Sequence, residues 1–166
     1  IPISAIYAFL GIFSCLAYDY KSFIVANEHS SNFGNLKYKG LEINHQWSKS
    51  LEFEKLFQNF IHNSISKDVD YFSLLRPFYE IRIVKMFVKY KQYFSHFSSC
   101  NRNFSSVRRS FNEGDQLWCG QCAKCVFAFT LLSAFLNKKE LVAMFGKNLY
   151  DDQSLLPLFK NIFLYN

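Results

Sequence analysis

Chain breakers are scarce in this sequence. Six Gly and three Pro make 9 of 166 residues, about 5% where an ordinary protein carries about 12%. That shortage excludes a collagen-like or low-complexity chain and favours long regular elements. The glycines never cluster, so no glycine-rich phosphate cradle can be read anywhere along the chain. Charge is also sparse at 19%, and 19 basic against 13 acidic residues leaves +6. Such a balance favours anionic partners without naming one, and it is too dilute for a basic nucleic-acid tail. Ile1 to Tyr18 has no charge at all, yet it lacks the basic flank of a signal peptide and is interrupted by Ser4, Gly11 and Ser14. It touches the lower length limit of a membrane span. The strand-like KSFIVANE that follows makes a buried helix of an α/β protein the better reading. The first residue is Ile rather than Met, which reads as a fragment, a processed product or a trimmed chain.

What the chain does have is a large apolar share, 50%, with 20 Phe and 10 Tyr, enough to bury a core at this length. The pattern predicts a helix over 3–18 and a strand over 22–27. A polar stretch, Asn27–Gly40, follows with the composition of a functional loop at a strand's C-terminal end. Ser48 or Ser50 can cap a second helix, whose apolar Phe53, Leu56, Phe57, Phe60 and Ile61 fall at i, i+3, i+4, i+7 and i+8. A short strand ending at Leu75 is expected next, then a third helix opened by Pro77. Residues 96–116 are polar and irregular. A buried helix over 122–136, another ended by Gly146 and a docked apolar tail complete the reading. No internal repeat or linker divides the chain.

Cys100, Cys119, Cys122 and Cys125 are the most specific local feature. The segment WCGQCAKC sets three thiols at two-residue intervals, and Cys100 supplies a fourth. Four thiolates form a closed tetrahedral set suited to structural Zn²⁺, with no position open for catalysis. An iron–sulfur cluster, a disulfide, or no metal at all are the alternatives. Gly120 eases the turn between the first two ligands. Cys15 stands alone in the apolar first helix and reads as an inert buried thiol, so the chain offers no free thiol pair of the kind that cofactor-independent racemases often use.

Five segments occur in order: ANEHSSNFGN (26–35), NHQWSKSLEFEKLF (44–57), FSLLRPFYEIRIVKMF (72–87), SCN (99–101) and WCGQCAKC (118–125). Together they resemble the UDP-N-acetyl-muramoyl-L-alanyl-L-glutamate epimerases of bacterial peptidoglycan synthesis, over nearly the full length. A broader similarity runs to the C-terminal half of the queuosine-precursor synthases, which are PP-loop ATPases with a four-Cys zinc site. The resemblance implies an α/β fold, helix-rich, corresponding to the C-terminal half of an adenine nucleotide α-hydrolase-like (PP-loop) domain over 1–95. It implies a zinc-stapled helical segment over 96–166. It also implies ATP, Mg²⁺ and structural Zn²⁺, a UDP-muramoyl dipeptide substrate, a cytoplasmic location, no membrane and no nucleic acid. The phosphate loop of such enzymes is missing here. The chain is therefore expected to be inactive alone, its N-terminal half trimmed or supplied as a separate partner.

The implied reaction inverts Cα of the terminal L-glutamate. Converting its carboxylate to an acyl-adenylate removes charge and acidifies the α-proton; a base and a proton donor on opposite faces then invert the centre, and hydrolysis of the adenylate restores the carboxylate and releases AMP. Glu28, at the junction of strand and polar loop, is the first candidate for the base or a Mg²⁺ contact. His45 and Lys49, four apart, would present a proton donor and an anion contact on one face if the helix began a turn before Ser48. Arg76 suits a phosphate or carboxylate fork, or an ion pair with Glu80. Ser30, Asn32, Asn35, Gln46 and Ser48 are candidate substrate hydrogen-bonders. Arg102, with Arg108 and Arg109, would meet the diphosphate or form a solvated basic loop. Two rival readings remain: a non-enzymatic zinc-stapled module that contacts RNA or a protein through the 102–109 loop, and an adenylating enzyme acting on a nucleobase precursor or tRNA.

Overall fold

A computed structural model describes residues 3–34, 36–103 and 117–164. The chain divides into two units, Ile1–Ile83 and Val84–Asn166.

In the first unit, α1 (Ile3–Tyr18) leads into β1 (Ser22–Val25). The helix closes at Asp19, whose φ of 56° takes the left-handed place usually held by glycine, and Tyr20 N–H reaches back to the Cys15 carbonyl at 2.9 Å. β1 pairs in parallel with β4 (Asp70–Ser73), Ser22 opposite Asp70 through Val25 opposite Ser73. Between them lie a short hairpin of β2 (Leu36–Tyr38) and β3 (Leu41–Ile43), and α2 (Leu51–Ser64). Ser50 caps α2 by accepting the Phe53 N–H at 3.1 Å, one of the two caps expected from sequence.

The core of this unit joins Ala8, Ile12 and Cys15 of α1 to Phe53, Phe57 and Ile61 of α2 and to Val69 and Tyr71. The first helix is thus buried on one face only: Tyr7, Leu10 and Phe13 lie exposed on the other. Its uncharged sequence suggested fuller burial, but a two-stranded layer and one helix cover a single stripe. Among the described residues no helix is long and apolar enough to cross a membrane. At the outer edge of β4, the Tyr71 N–H is taken by the Gln58 side-chain oxygen, so a glutamine stands where a further strand would pair.

Two expectations shift. The polar stretch after β1 holds a 3₁₀ turn (His29–Asn32) and most of the hairpin. Lys39 and Gly40, with φ of 49° and 79°, give it a tight turn with both central residues left-handed. The third helix, α3 (Glu80–Phe87), starts three residues after Pro77. The Phe78 carbonyl is committed to His29 N–H at 2.9 Å, and Phe78 N–H closes a turn on Leu75.

The second unit is helical: α4 (Ala123–Ser133), α5 (Lys138–Phe145) and α6 (Leu156–Phe163). Trp118, Phe129, Phe145, Val126, Leu132 and Leu149 fill its core. A reciprocal box of Asn137 and Glu140 opens α5, and left-handed Gly146 ends it.

Gly11 marks a close approach of α1 to β1, since a Cβ there would lie only 2.3–2.5 Å from carbons of the Phe23 ring. Helix propensity alone would make Gly11→Ala stabilising by about 1 kcal/mol. The contact predicts the opposite sign, a loss of about 1–3 kcal/mol from overpacking, readable by urea denaturation.

Candidate functional site

The four cysteines predicted as ligands converge in the second unit. Cys100 and Cys125 are buried, Cys119 and Cys122 half-buried, and all four are free thiols. The sulfurs lie within 4.8 Å of one another. Three separations are 3.9 Å (Cys100–Cys122), 3.7 Å (Cys119–Cys125) and 3.5 Å (Cys122–Cys125). Disulfide bonding would need about 2.05 Å. A tetrahedron with metal–sulfur bonds of about 2.3 Å has edges of about 3.8 Å, and these separations bracket that length. The set can therefore hold a metal ion.

Local structure explains the convergence. Gly120, at φ 64°, turns the chain between Cys119 and Cys122. Cys122 is the N-cap of α4 and Cys125 lies in its first turn, where the helix dipole favours thiolate. Burial alone would raise the Cys122 thiol, but backbone N–H groups of Cys125 and Asn101 outweigh it and bring the thiol down to about 7. Burial raises Cys125, as does its hydrogen bond with Cys122, and burial also raises Cys119. The Cys119 N–H points to the Cys100 sulfur at 3.5 Å, and Ser98 ties Cys100 N–H to the Leu117 carbonyl. Arg102 donates to the Gln121 side-chain oxygen at 2.6 Å, beside the thiols. Arg108 and Arg109 lie outside the described residues, as does Asn35.

In the first unit, the loops at the C-terminal ends of β1 and β4 gather most of the other candidates. Arg76 organises them. One guanidinium nitrogen donates to Ser31 Oγ (2.8 Å), the Glu28 carbonyl (3.2 Å) and Asn32 Oδ1 (3.4 Å). The other donates to the Lys49 carbonyl (2.8 Å), Glu54 Oε2 (2.9 Å) and Ser73 Oγ (3.0 Å). The Arg76 and Glu54 side chains are only 11% and 13% exposed. Arg76 thus spends both terminal nitrogens on protein acceptors, and its ion-pair partner is Glu54 rather than Glu80. Glu80 instead accepts from Ser30, whose hydroxyl also approaches Glu28 Oε1 at 3.4 Å.

The remaining candidates surround this clamp. Asn32 bridges the His29 carbonyl and the Leu51 N–H. Lys49 Nζ donates to Gln46 Oε1 at 2.8 Å, and Ser48 is buried in the 3₁₀ turn Trp47–Lys49. His45 is exposed and precedes that turn. Because α2 begins only at Leu51, His45 and Lys49 do not share a helical face. Sequence reasoning missed Ser31, Asn44 and the partner role of Glu54. Asn44 donates to the Ser31 carbonyl and accepts from Gln46 N–H. Alternating Leu36, Tyr38, Leu41 and Ile43 around Lys39–Gly40 was the available signal for the hairpin that carries Asn44.

A parallel strand pair with polar loops at its C-terminal ends, and a helical unit with four converging thiols, define a mixed α/β, helix-rich protein able to hold a metal ion. Residues 1–74 match the MurL N-terminal domain and residues 96–166 the MurL C-terminal domain. The chain belongs to the MurL family. It is 38% identical over 153 residues to the UDP-N-acetyl-alpha-D-muramoyl-L-alanyl-L-glutamate epimerase of Xanthomonas oryzae pv. oryzae, covering 92% of this chain and 33% of that protein. Proteins of the same name from a Micromonospora species and from Salinispora tropica are each 30% identical over 162 residues, 98% of this chain and 35% and 34% of theirs. The chain spans about a third of the length of these curated relatives. No solved structure matches it.

Removing Glu54 as Glu54→Ala leaves a buried guanidinium uncompensated and should cost about 3–5 kcal/mol, measured by chemical denaturation. Arg76→Lys should recover only part of the loss of Arg76→Ala, because an ammonium cannot span both sets of acceptors. At the thiols, protons compete with metal for sulfur. Metal content, read by elemental analysis after dialysis, should fall as pH drops from 7.5 towards 5, and the second unit should melt earlier in parallel. Melting unchanged by both acid and chelator would refute a stabilising ion.

Proposed function

We propose that this chain forms part of an epimerase that inverts the terminal L-glutamate of UDP-N-acetylmuramoyl-L-alanyl-L-glutamate, in the supply of cytoplasmic peptidoglycan precursors. The observation that carries the reading is the match of both halves of the chain to the two MurL domains, together with relatives bearing that activity in their names. We take residues 1–95 as the closing part of a PP-loop-type α/β domain and 96–166 as its metal-stapled segment. Zn²⁺ is the proposed ion, since four thiolates suit it and leave no position for a reacting water. Cys100, Cys119, Cys122 and Cys125 would hold it, and its role would be to stabilise the fold.

ATP as co-substrate would activate the glutamate carboxylate. The six separated glycines of this chain do not fit a triphosphate cradle, so no step is assigned to ATP here. The proposed task of these residues is proton handling and orientation. Glu28 is the candidate base, set by its backbone bond to Arg76 and its contact with Ser30. Lys49 would hold a substrate carboxylate, while exposed His45 would supply a proton. Ser30, Asn32, Gln46 and Ser48 shape the loops around them. Arg76 acts as a positioning residue in this scheme.

The test is ATP-dependent exchange of the glutamyl α-proton in D₂O by the full-length protein. Glu28→Gln, His45→Asn and Lys49→Gln should each reduce exchange, the base by about a hundredfold or more. Unchanged exchange in all three would remove the assignment. Exchange that proceeds at full rate without ATP would remove the proposed activation.

A further inference from the structure

A cavity of about 430 Å³ opens in the first unit between the hairpin and the start of α2. Its walls combine an indole with planar polar side chains: Trp47, Asn32, Glu42 and Glu52, with Gly34 also in the lining. The indole is held firmly. Its Nε1–H donates to Glu52 Oε2 at 2.6 Å, and Phe53 packs edge-on against it with ring centroids 5.4 Å apart. Trp47 remains 44% exposed, leaving apolar ring surface available to a ligand. Glu42 is held by the Gly34 N–H. A Cβ at position 34 would collide with the Glu42 side chain, so the close approach that seats this carboxylate needs glycine.

Charge decides what such a cavity can take. Two carboxylates without a lining arginine would repel a diphosphate or a free carboxylate group. They are strong acceptors for hydroxyl and amide N–H groups. An exposed indole offers a flat apolar surface to the C–H face of a saturated ring. The volume lies in the range of small-ligand sites. We infer that this cavity binds a neutral pyranose through Trp47, Glu42 and Glu52. Resting on the proposed function, it is the subsite for the substrate's sugar ring, separate from the residues that handle the glutamate proton.

Trp47 also reports on its own occupancy, because the only other tryptophan of the chain, Trp118, is 1% exposed. The 166-residue chain is titrated with N-acetylglucosamine while tryptophan emission and ligand-observed saturation-transfer NMR are recorded. UMP and ethylammonium serve as anionic and cationic controls. A saturable emission change with the sugar is expected. Glu42→Gln should weaken binding about tenfold, the scale of one lost charged hydrogen bond. Gly34→Ala should weaken it similarly by displacing Glu42. Trp47→Leu should abolish the NMR signal while circular dichroism shows the fold retained. Absence of sugar binding, a response to UMP or ethylammonium instead, or a sugar response unaffected by Glu42→Gln would each overturn the inference. Sugar binding is read without turnover, so it can persist if the proposed epimerisation fails, and it can fail while α-proton exchange persists.

Discussion

A single buried guanidinium holds the candidate loop site together. Burying a charge is costly unless it is paired and its N–H groups are satisfied. Arg76 meets the pairing with Glu54 of α2 and donates to acceptors from two loops and β4. The carbonyls of Glu28 and Lys49, distant in sequence, are bound to the same group. The candidate base and the candidate carboxylate contact therefore have backbones fixed by one side chain. A short parallel strand pair supplies few ladder bonds of its own, so this clamp carries much of the order at the strand ends.

The thiol cluster solves a different problem in its own unit. Three of its cysteines crowd the turn before α4 and the first turn of that helix. Four thiols within 4.8 Å would repel if ionised without a cation. The backbone N–H groups that lower Cys122 and the burial that raises Cys125 pull neighbouring thiols apart in acidity. A bound cation removes that conflict by favouring the thiolate at every position. Trp118, between two of the sulfurs' chain positions, is pressed against Phe97 and Phe145, so the ligand turn is anchored to the aromatic core.

Legibility tracked the range of the interactions. Local rules found α1, the Ser50 cap, the Gly146 stop and the Cys119–Cys122–Cys125 spacing, because each depends on residues close in the chain; Cys100, 19 residues before Cys119, was legible only through the chemistry of a four-thiol set. Arg76 shows where such rules run out. Its sequence setting, next to Pro77 and near Glu80, suggested an anion fork or a local ion pair, whereas its partner Glu54 comes from another helix. The same applies to Pro77. Its helix-opening tendency lost to the tertiary bond between Phe78 and His29. The hairpin was hidden for a different reason: its strands are three residues each and exposed along their length, so composition alone read them as loop. The outer face of α1 could not be assigned from sequence either, since an uncharged helix gives no polar stripe to mark its solvent side.

Net charge is a poor guide to what a cavity in the first unit can accept. The chain carries +6 overall, yet the cavity beside the hairpin presents Glu42 and Glu52, while Lys49 stands in the adjoining turn with its ammonium on Gln46. A substrate such as a sugar-linked peptide is itself divided, with a neutral ring between anionic ends. Field strength falls with distance and is screened beyond about 8–10 Å in physiological salt, so each part of such a molecule senses the nearest side chains more than the whole protein. Carboxylates that would repel the anionic ends can then still grip the neutral middle. Placing acceptors and cation on neighbouring segments, and tying both segments to Arg76, would let one molecule be read at two points without either contact opposing the other.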